Sequence, residues 1–267
     1  MVHRDSAAKT RIGIVYNPNA GNKSLRKQAL SILSQKLKQA EIHCTRATYR
    51  YIESYFPGIK LRLAGEMTNT YLDSVYAGRV LTDLEFIIAL GGDGTVADII
   101  TGQKKEGALI PVSCIGCGTA NTGPFILTRS IDELKLVDFK ELRVHPVTGI
   151  EACNREGQFI GTAFNDLVFS DTIVSTVKGK ITTIDARKFL QGTRVENLPG
   201  FISGDHTSLK INSREVVIPF KIAQIFVSPV HNSAAYSYKA VTGKLCWMLF
   251  GNKRGAGTVL SAAVSFC

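Results

Sequence analysis

Phe86-Ile87-Ile88-Ala89-Leu90-Gly91-Gly92-Asp93-Gly94-Thr95 joins an apolar run to a glycine-rich turn. The run from Leu84 to Leu90 has too few polar positions to leave one face in water, so it reads as a parallel strand buried on both sides. The glycines stand at that strand's carboxyl end. There they permit positive φ and strip one surface of Cβ atoms, so that N–H groups can face a phosphate beside the following helix N-terminus. Val96, Ile99 and Ile100 fall on one face of that helix, over Thr95 to Gly102. Asp93 has two readings. As a helix N-cap it is structural; as a carboxylate beside a bound triphosphate it accepts a hydroxyl proton or holds magnesium. Donors at a helix start favour its charged form, which points to an orienting or metal-linked role.

Outward from this stretch, the same rhythm continues in both directions. Ile12 to Tyr16 is a β-branched run ending in the turn formers Asn17-Pro18-Asn19-Ala20-Gly21. Ser24 can cap a helix whose apolar positions Leu25, Ala29, Ile32, Leu33 and Leu37 recur at three and four residues. A second strand lies within Ile42 to Tyr51, and a helix over Met67 to Ala77. Downstream, Leu109 to Ile115 reads as another buried strand, entering Gly116-Cys117-Gly118-Thr119-Ala120-Asn121-Thr122-Gly123-Pro124. Strands alternating with helices predict a parallel sheet covered on both faces. Two glycine-rich turns ending adjacent strands then open on one sheet edge, where doubly wound folds bind nucleotides. No G-x-x-x-x-G-K-[ST] is present, and no G-x-G-x-x-G follows the first strand, which disfavours a P-loop ATPase and a Rossmann dehydrogenase.

From Leu142 the pattern changes to short alternating runs: Arg143 to Ala152, Gln158 to Phe169, Thr172 to Val177, Lys180 to Ile184, Thr207 to Ile211, Val216 to Pro219 and Lys221 to Ser228. This predicts a mostly antiparallel β domain. The expected class is α/β, with a Rossmann-like domain over 1–141 and a β-rich domain over 142–267; whether the last residues return to the first domain is left open. The 267 residues are 45% hydrophobic and 20% charged, an ordinary globular composition, and the net charge of +10 favours polyanionic partners. Basic runs near Lys23 to Lys38 and Lys178 to Arg194 lack interleaved exposed aromatics, which argues against nucleic acid. The polar N-terminus resembles no signal peptide and no apolar run suggests a membrane span, so a cytosolic address follows. Six scattered cysteines read as reduced thiols. Cys114 and Cys117 form a lone C-x-x-C, more in keeping with two small, half-buried side chains at a strand end than with zinc.

The Gly91-Gly92-Asp93-Gly94-Thr95 turn resembles the signature shared by NAD kinases and the diacylglycerol and sphingosine kinases. Asn17-Pro18-Asn19-Ala20-Gly21 resembles their first nucleotide loop, above all in the lipid-kinase branch, and Gly118-Thr119-Ala120-Asn121 the lipid-kinase "GTAN" turn, with Cys117 and Thr122 in place of the flanking proline and aspartate. Ala163-Phe164-Asn165-Asp166-Leu167-Val168 is similar to the NAD-kinase "ALNEVVV" strand, Asp166 standing for glutamate. Val227 to Ser237 is similar to the NAD-kinase "TPTGSTAYS" loop, with Asn232 in place of glycine.

The resemblance implies ATP-dependent (or polyphosphate-dependent) phosphoryl transfer to a hydroxyl, with magnesium, in a cleft between the two domains. NAD's 2′-hydroxyl is the first acceptor, a diacylglycerol or sphingoid lipid the second, and a non-catalytic nucleotide binder the rival. It implies Asp93 as the catalytic residue. Asn17, Pro18, Asn19, Gly21, Gly91, Gly92, Gly94, Thr95, Gly118, Thr119 and Asn121 would hold the nucleotide. Asn165, Asp166, Ser233 and Tyr236 would hold the acceptor, in a homo-oligomeric protein.

Overall fold

A computed structural model of the chain describes residues 9–21, 23–65, 72–118, 121–154, 156–165, 167–177, 180–198, 200, 207–211, 214–218, 224–228, 246–250 and 258–263. Two compact units divide it, Met1–Phe164 and Asn165–Cys267. In the first, strands β1 (Arg11–Tyr16), β2 (Glu41–Cys44), β3 (Leu61–Leu63), β4 (Phe86–Gly91), β5 (Val112–Gly116) and β6 (Ile126–Thr128) form one parallel sheet in the order β3-β2-β1-β4-β5-β6. That is the doubly wound arrangement, with its switch point between β1 and β4.

Side chains alternate across this sheet with period two. Ile12, Ile14, Ile88 and Leu90 pack on one face with α1 (Lys23–Lys36), α2 (Arg46–Ile52) and α5 (Ile131–Leu136) through Leu30, Leu33, Ile52 and Leu134. Val15, Ile87 and Ala89 pack on the other with α3 (Asp73–Val80) and α4 (Asp93–Lys105) through Ala77, Val96 and Ile99. Both faces are therefore covered, as the unbroken apolar run of β4 requires. The helices α3 and α4 touch backbone to backbone. A Cβ on Gly78 would collide with the Ile99 carbonyl and one on Gly102 with that of Val75, so glycine sets their spacing.

Several expectations shift by a few residues. The second strand stops at Cys44, because Thr45 accepts the Thr48 N–H and caps α2. Ser24 lies inside the first turn of α1 and accepts from Gln28 instead of capping, while residue 22 is outside the described residues. The helix expected over Met67 to Ala77 is described only from α3, since 66–71 also lie outside.

The first unit runs past the 141/142 division suggested by the change of rhythm. It takes in the antiparallel hairpin of β7 (Ile150–Cys153) and β8 (Phe159–Ala163). Thr162 N–H donates to Thr101 Oγ1 of α4 at 3.0 Å, Lys104 pairs with Glu151, and the Phe125 and Phe164 rings meet edge-on at 4.6 Å. These contacts hold the hairpin to the α/β layer.

The second unit is antiparallel throughout its described pairings. The strands β10 (Thr172–Val177) and β11 (Lys180–Asp185) form one hairpin, and β12 (Thr207–Ile211) and β13 (Arg214–Ile218) another. A four-stranded sheet has the order β15 (Cys246–Phe250), β16 (Thr258–Ala263), β14 (Gln224–Ser228), β9 (Leu167–Phe169). Asp185 ends β11 and caps the short helix α6 (Ala186–Leu190) by accepting the Lys188 N–H at 2.8 Å. No helix among the described residues is long and apolar enough to cross a membrane.

Candidate functional site

Three turns leave the carboxyl ends of the neighbouring strands β1, β4 and β5, and a web of short contacts ties them together. Asn17 is the hub of the first. Its N–H donates to Leu90 O at 3.0 Å, its Oδ1 accepts the Asn19 N–H at 2.9 Å, and its Nδ2 donates to Thr95 Oγ1 of α4 at 2.8 Å. Its carbonyl accepts the Ala20 N–H. The amides of 19 and 20 are thus spent inside the turn. Pro18 O accepts Nη2 of Arg26 at 2.9 Å.

Gly21 lies against the second glycine-rich turn so closely that a Cβ there would collide with Cys117 O. Gly91 O accepts the N–H groups of both Cys117 and Gly118, at 2.6 and 2.9 Å, joining β4 to the same turn. Within it, Asn121 takes a left-handed φ of 51° and closes on Gly118, Oδ1 accepting its N–H and Nδ2 donating to its carbonyl, each at 2.9 Å.

These glycines serve close approach. The expectation of positive φ at Gly91 to Gly94 is not met: among the described residues the glycines with positive φ are Gly58, Gly65, Gly107, Gly157 and Gly192. Gly92 instead has φ −137° and ψ −171°, extended backbone open to any residue, and what it needs is the absence of a side chain facing Gly118.

Asp93 is the first residue of α4, with Gly92 at the cap position. Its carboxylate reaches across to the second turn, Oδ2 accepting the Thr122 N–H at 3.1 Å and Oδ1 the Gly123 N–H at 2.9 Å. It does not cap its own helix: it braces another loop, and each oxygen keeps lone-pair capacity. Thr95 N–H turns back to Gly92 O, which leaves the Asp93 and Gly94 N–H groups without a partner among the described residues. Gly94 is exposed and no atom lies within 4 Å of where its Cβ would be. The open donors therefore gather on the first turn of α4, where the helix dipole adds positive potential. The Gly116–Gly118 turn, by contrast, is occupied by the Asn121 side chain.

Thr119, Asp166, Ser233 and Tyr236 lie outside the described residues, and Asn165 is the first residue of the second unit. Cys114 and Cys117 pack in different core clusters, and both are free, buried thiols. Burial pushes their thiols up to about 12 and about 11. Among the described residues no three His, Cys, Asp or Glu side chains gather as a metal site.

Sequence reasoning missed two charged groups. Arg26 sits on the apolar stripe of α1, three residues before Ala29 and four before Leu30, which was the available signal. Asp98 lies one turn beyond Gly94 on α4, and desolvation pushes its carboxyl up to about 6.

Residues 11–138 match the family described as the diacylglycerol kinase catalytic domain. An uncharacterized protein of Archaeoglobus fulgidus is 31% identical over 193 residues, covering 71% of this chain and 58% of that protein. A crystal structure of a diacylglycerol kinase from Bacillus anthracis aligns at 15% identity and TM-score 0.47, over 84% of this chain and 66% of that one. Yeast NADH kinase complexed with NADH aligns at 12% identity and TM-score 0.35, over 82% and 71%. The chain thus spans less than two thirds of the length of the archaeal relative and of the Bacillus kinase. Over residues 11–138, a little under half of its length, the chain is thus similar to the diacylglycerol kinase catalytic domain.

Proposed function

We propose that this chain transfers a phosphoryl group from ATP to the hydroxyl of a small-molecule acceptor. The observation that carries the reading is the Asp93 carboxylate, held by the Thr122 and Gly123 N–H groups beside the open first turn of α4. Phosphate oxygens suit the free Asp93 and Gly94 donors and the positive end of the helix dipole. Phosphoryl transfer depends chiefly on positioning and charge neutralisation, which rigid donors provide without reorganising. Asp93, immobilised at both oxygens, accepts a hydrogen bond from the acceptor hydroxyl and orients it for attack.

The donor set fits magnesium. With no three-ligand cluster among the described residues, the ion would be held by phosphates, water and the single carboxylate of Asp93, a set magnesium favours. When bound it would neutralise phosphate charge.

For the acceptor, the family match over 11–138 and the turns at Asn17–Gly21 and Gly118–Asn121 support a lipid alcohol of the diacylglycerol kind. NAD's 2′-hydroxyl is the second reading, supported by the likeness of 163–168 and 227–237 to NAD-kinase segments. Incubating the full chain with magnesium, ATP labelled at the γ-phosphate and either diacylglycerol in mixed micelles or NAD separates them. Labelled phosphatidic acid supports the first and labelled NADP the second. Label transferred to neither acceptor refutes the proposal.

A further inference from the structure

Among the described residues Arg26 is the least exposed charged residue, at 4%. Its Nε donates to Tyr16 Oη at 3.1 Å, its Nη2 donates to Pro18 O at 2.9 Å, and its guanidinium carbon lies 5.6 Å from the Tyr16 ring centroid. Nη1 is buried with no hydrogen-bond partner, and none of the ion pairs among the described residues includes Arg26. A guanidinium stays charged in proteins at any ordinary pH, and a buried charge without a counter-charge is costly. Two neutral acceptors and an aromatic face offset part of that cost.

The missing negative charge has a natural place. Arg26 grips the first turn through Pro18, and that turn packs through Gly21 on Cys117 and Gly118. Gly118 in turn lies against Gly92, at the start of α4. The guanidinium also acts on the Cys117 thiol, opposing the upward push of burial, which puts it near the second turn as well. The buried cation and the open end of α4 thus impose the same sign of potential on one small region.

We propose that Arg26 is the buried counter-charge of an anion site at the open start of α4, beside these turns, one that takes the phosphate groups of a nucleoside di- or triphosphate. The inference rests on the reading of the turns as a phosphate site and names the residue that sets their charge preference. Arg26 is sealed from solvent, so it acts through its field across the Pro18–Gly21 backbone, as a positioning residue.

The test uses the full chain, with wild type, R26M and R26K compared by thermal unfolding and by calorimetric titration with inorganic phosphate, ADP, ATP and adenosine. Removing an uncompensated charge leaves the melting temperature of ligand-free R26M equal to or above that of wild type. Its ADP and ATP affinities fall about tenfold, the size expected for a unit charge acting at an intermediate dielectric, while adenosine affinity is unchanged. R26K keeps the charge and loses the fork, so its ADP affinity stays within about threefold of wild type.

A purely structural clamp gives the opposite pattern: R26M melts lower and binds ADP within about twofold of wild type, which overturns the inference and leaves the phosphotransferase reading standing. Should R26M fail to fold, R26K decides alone, since an ADP affinity lower by about tenfold would show that fork geometry is what matters and would overturn the proposal. Wild-type protein that binds none of the three phosphates overturns this inference and the functional reading together.

Discussion

Replacing Asp93 with asparagine tests the site at two levels. The carboxylate accepts one N–H at each oxygen, from Thr122 at 3.1 Å and Gly123 at 2.9 Å. The amide keeps a single oxygen and turns an NH2 group toward the other donor, so one hydrogen bond to a charged acceptor is lost, worth about 1.5–3 kcal/mol. Partial exposure of these contacts places the loss toward the lower end. Removing the acidic residue from the first turn of α4 costs about 0.3–1 kcal/mol more. A total of about 2 kcal/mol leaves a domain of ordinary stability almost wholly folded, with a melting temperature lower by roughly 4–8 °C. Turnover should fall by about 10²- to 10⁴-fold, far more than the unfolded fraction explains. Urea denaturation and label transfer, run on the same preparation, separate the effects. Unchanged stability would refute the bracing role of Asp93. Lowered stability with near-normal turnover would refute its place in the chemistry.

Gly21→Ala should destabilise the first unit by about 1–3 kcal/mol, because the new Cβ meets Cys117 O and lies 3.1 Å from Gly118 C, backbone atoms that cannot swing aside. Gly94→Ala, with nothing within 4 Å, should be neutral or stabilising by up to about 1 kcal/mol, and equal denaturation midpoints for the two variants would count against the packing argument. Asp98 carries the pH prediction. Burial raises its carboxyl from an ordinary 3.8 to about 6, so the folded state holds the proton more tightly than the unfolded chain does. Its contribution to stability is therefore lost as pH rises through that window, and Asp98→Asn should gain on wild type between pH 4 and 6.5, reaching on the order of 2 kcal/mol at pH 7. A stability difference that does not vary with pH would show that Asp98 ionises freely in the folded protein.

The parts of the molecule that were legible in the sequence are those fixed by local pattern. The unbroken apolar run of β4 could only be a strand buried on both faces, and the stripe of α1 needed only its three-and-four spacing. α2 was hidden because Thr45 and Tyr49 to Tyr51 are as compatible with a strand as with a capped helix, and burial of Ile52 on the sheet decides the matter. The hairpin of β7 and β8 was grouped with the β-rich part for a related reason: its strands alternate like those beyond them, while Thr101, Lys104 and Phe125, distant in sequence, bind it to the α/β layer. In the site, the glycines marked the place but not their purpose, since permissive φ and close approach call for the same residue. The partners of Asp93, at 122 and 123, are about thirty positions away and left no local trace.

The consumption of donors gives the site its polarity. Asn17, Asn121 and Asp93 are short polar side chains that satisfy the amides of 19, 118, 122 and 123, and Gly91 O takes those of 117 and 118. A turn whose amides are paired in this way holds its shape without ligand, but it cannot also cradle one with the same groups. What remains is the first turn of α4, and everything around it is arranged to keep that turn fixed: Thr95 is tied to Asn17, Gly92 to the backbone of Gly118, and Asp93 to the far side of the second turn. Among the described residues of these turns, the start of α4 is thus a place where an anion need displace nothing. The carboxylate held at that place would repel a phosphate if it stood alone, which is why a sealed positive charge such as Arg26, or a cation brought with the nucleotide, belongs to the same design.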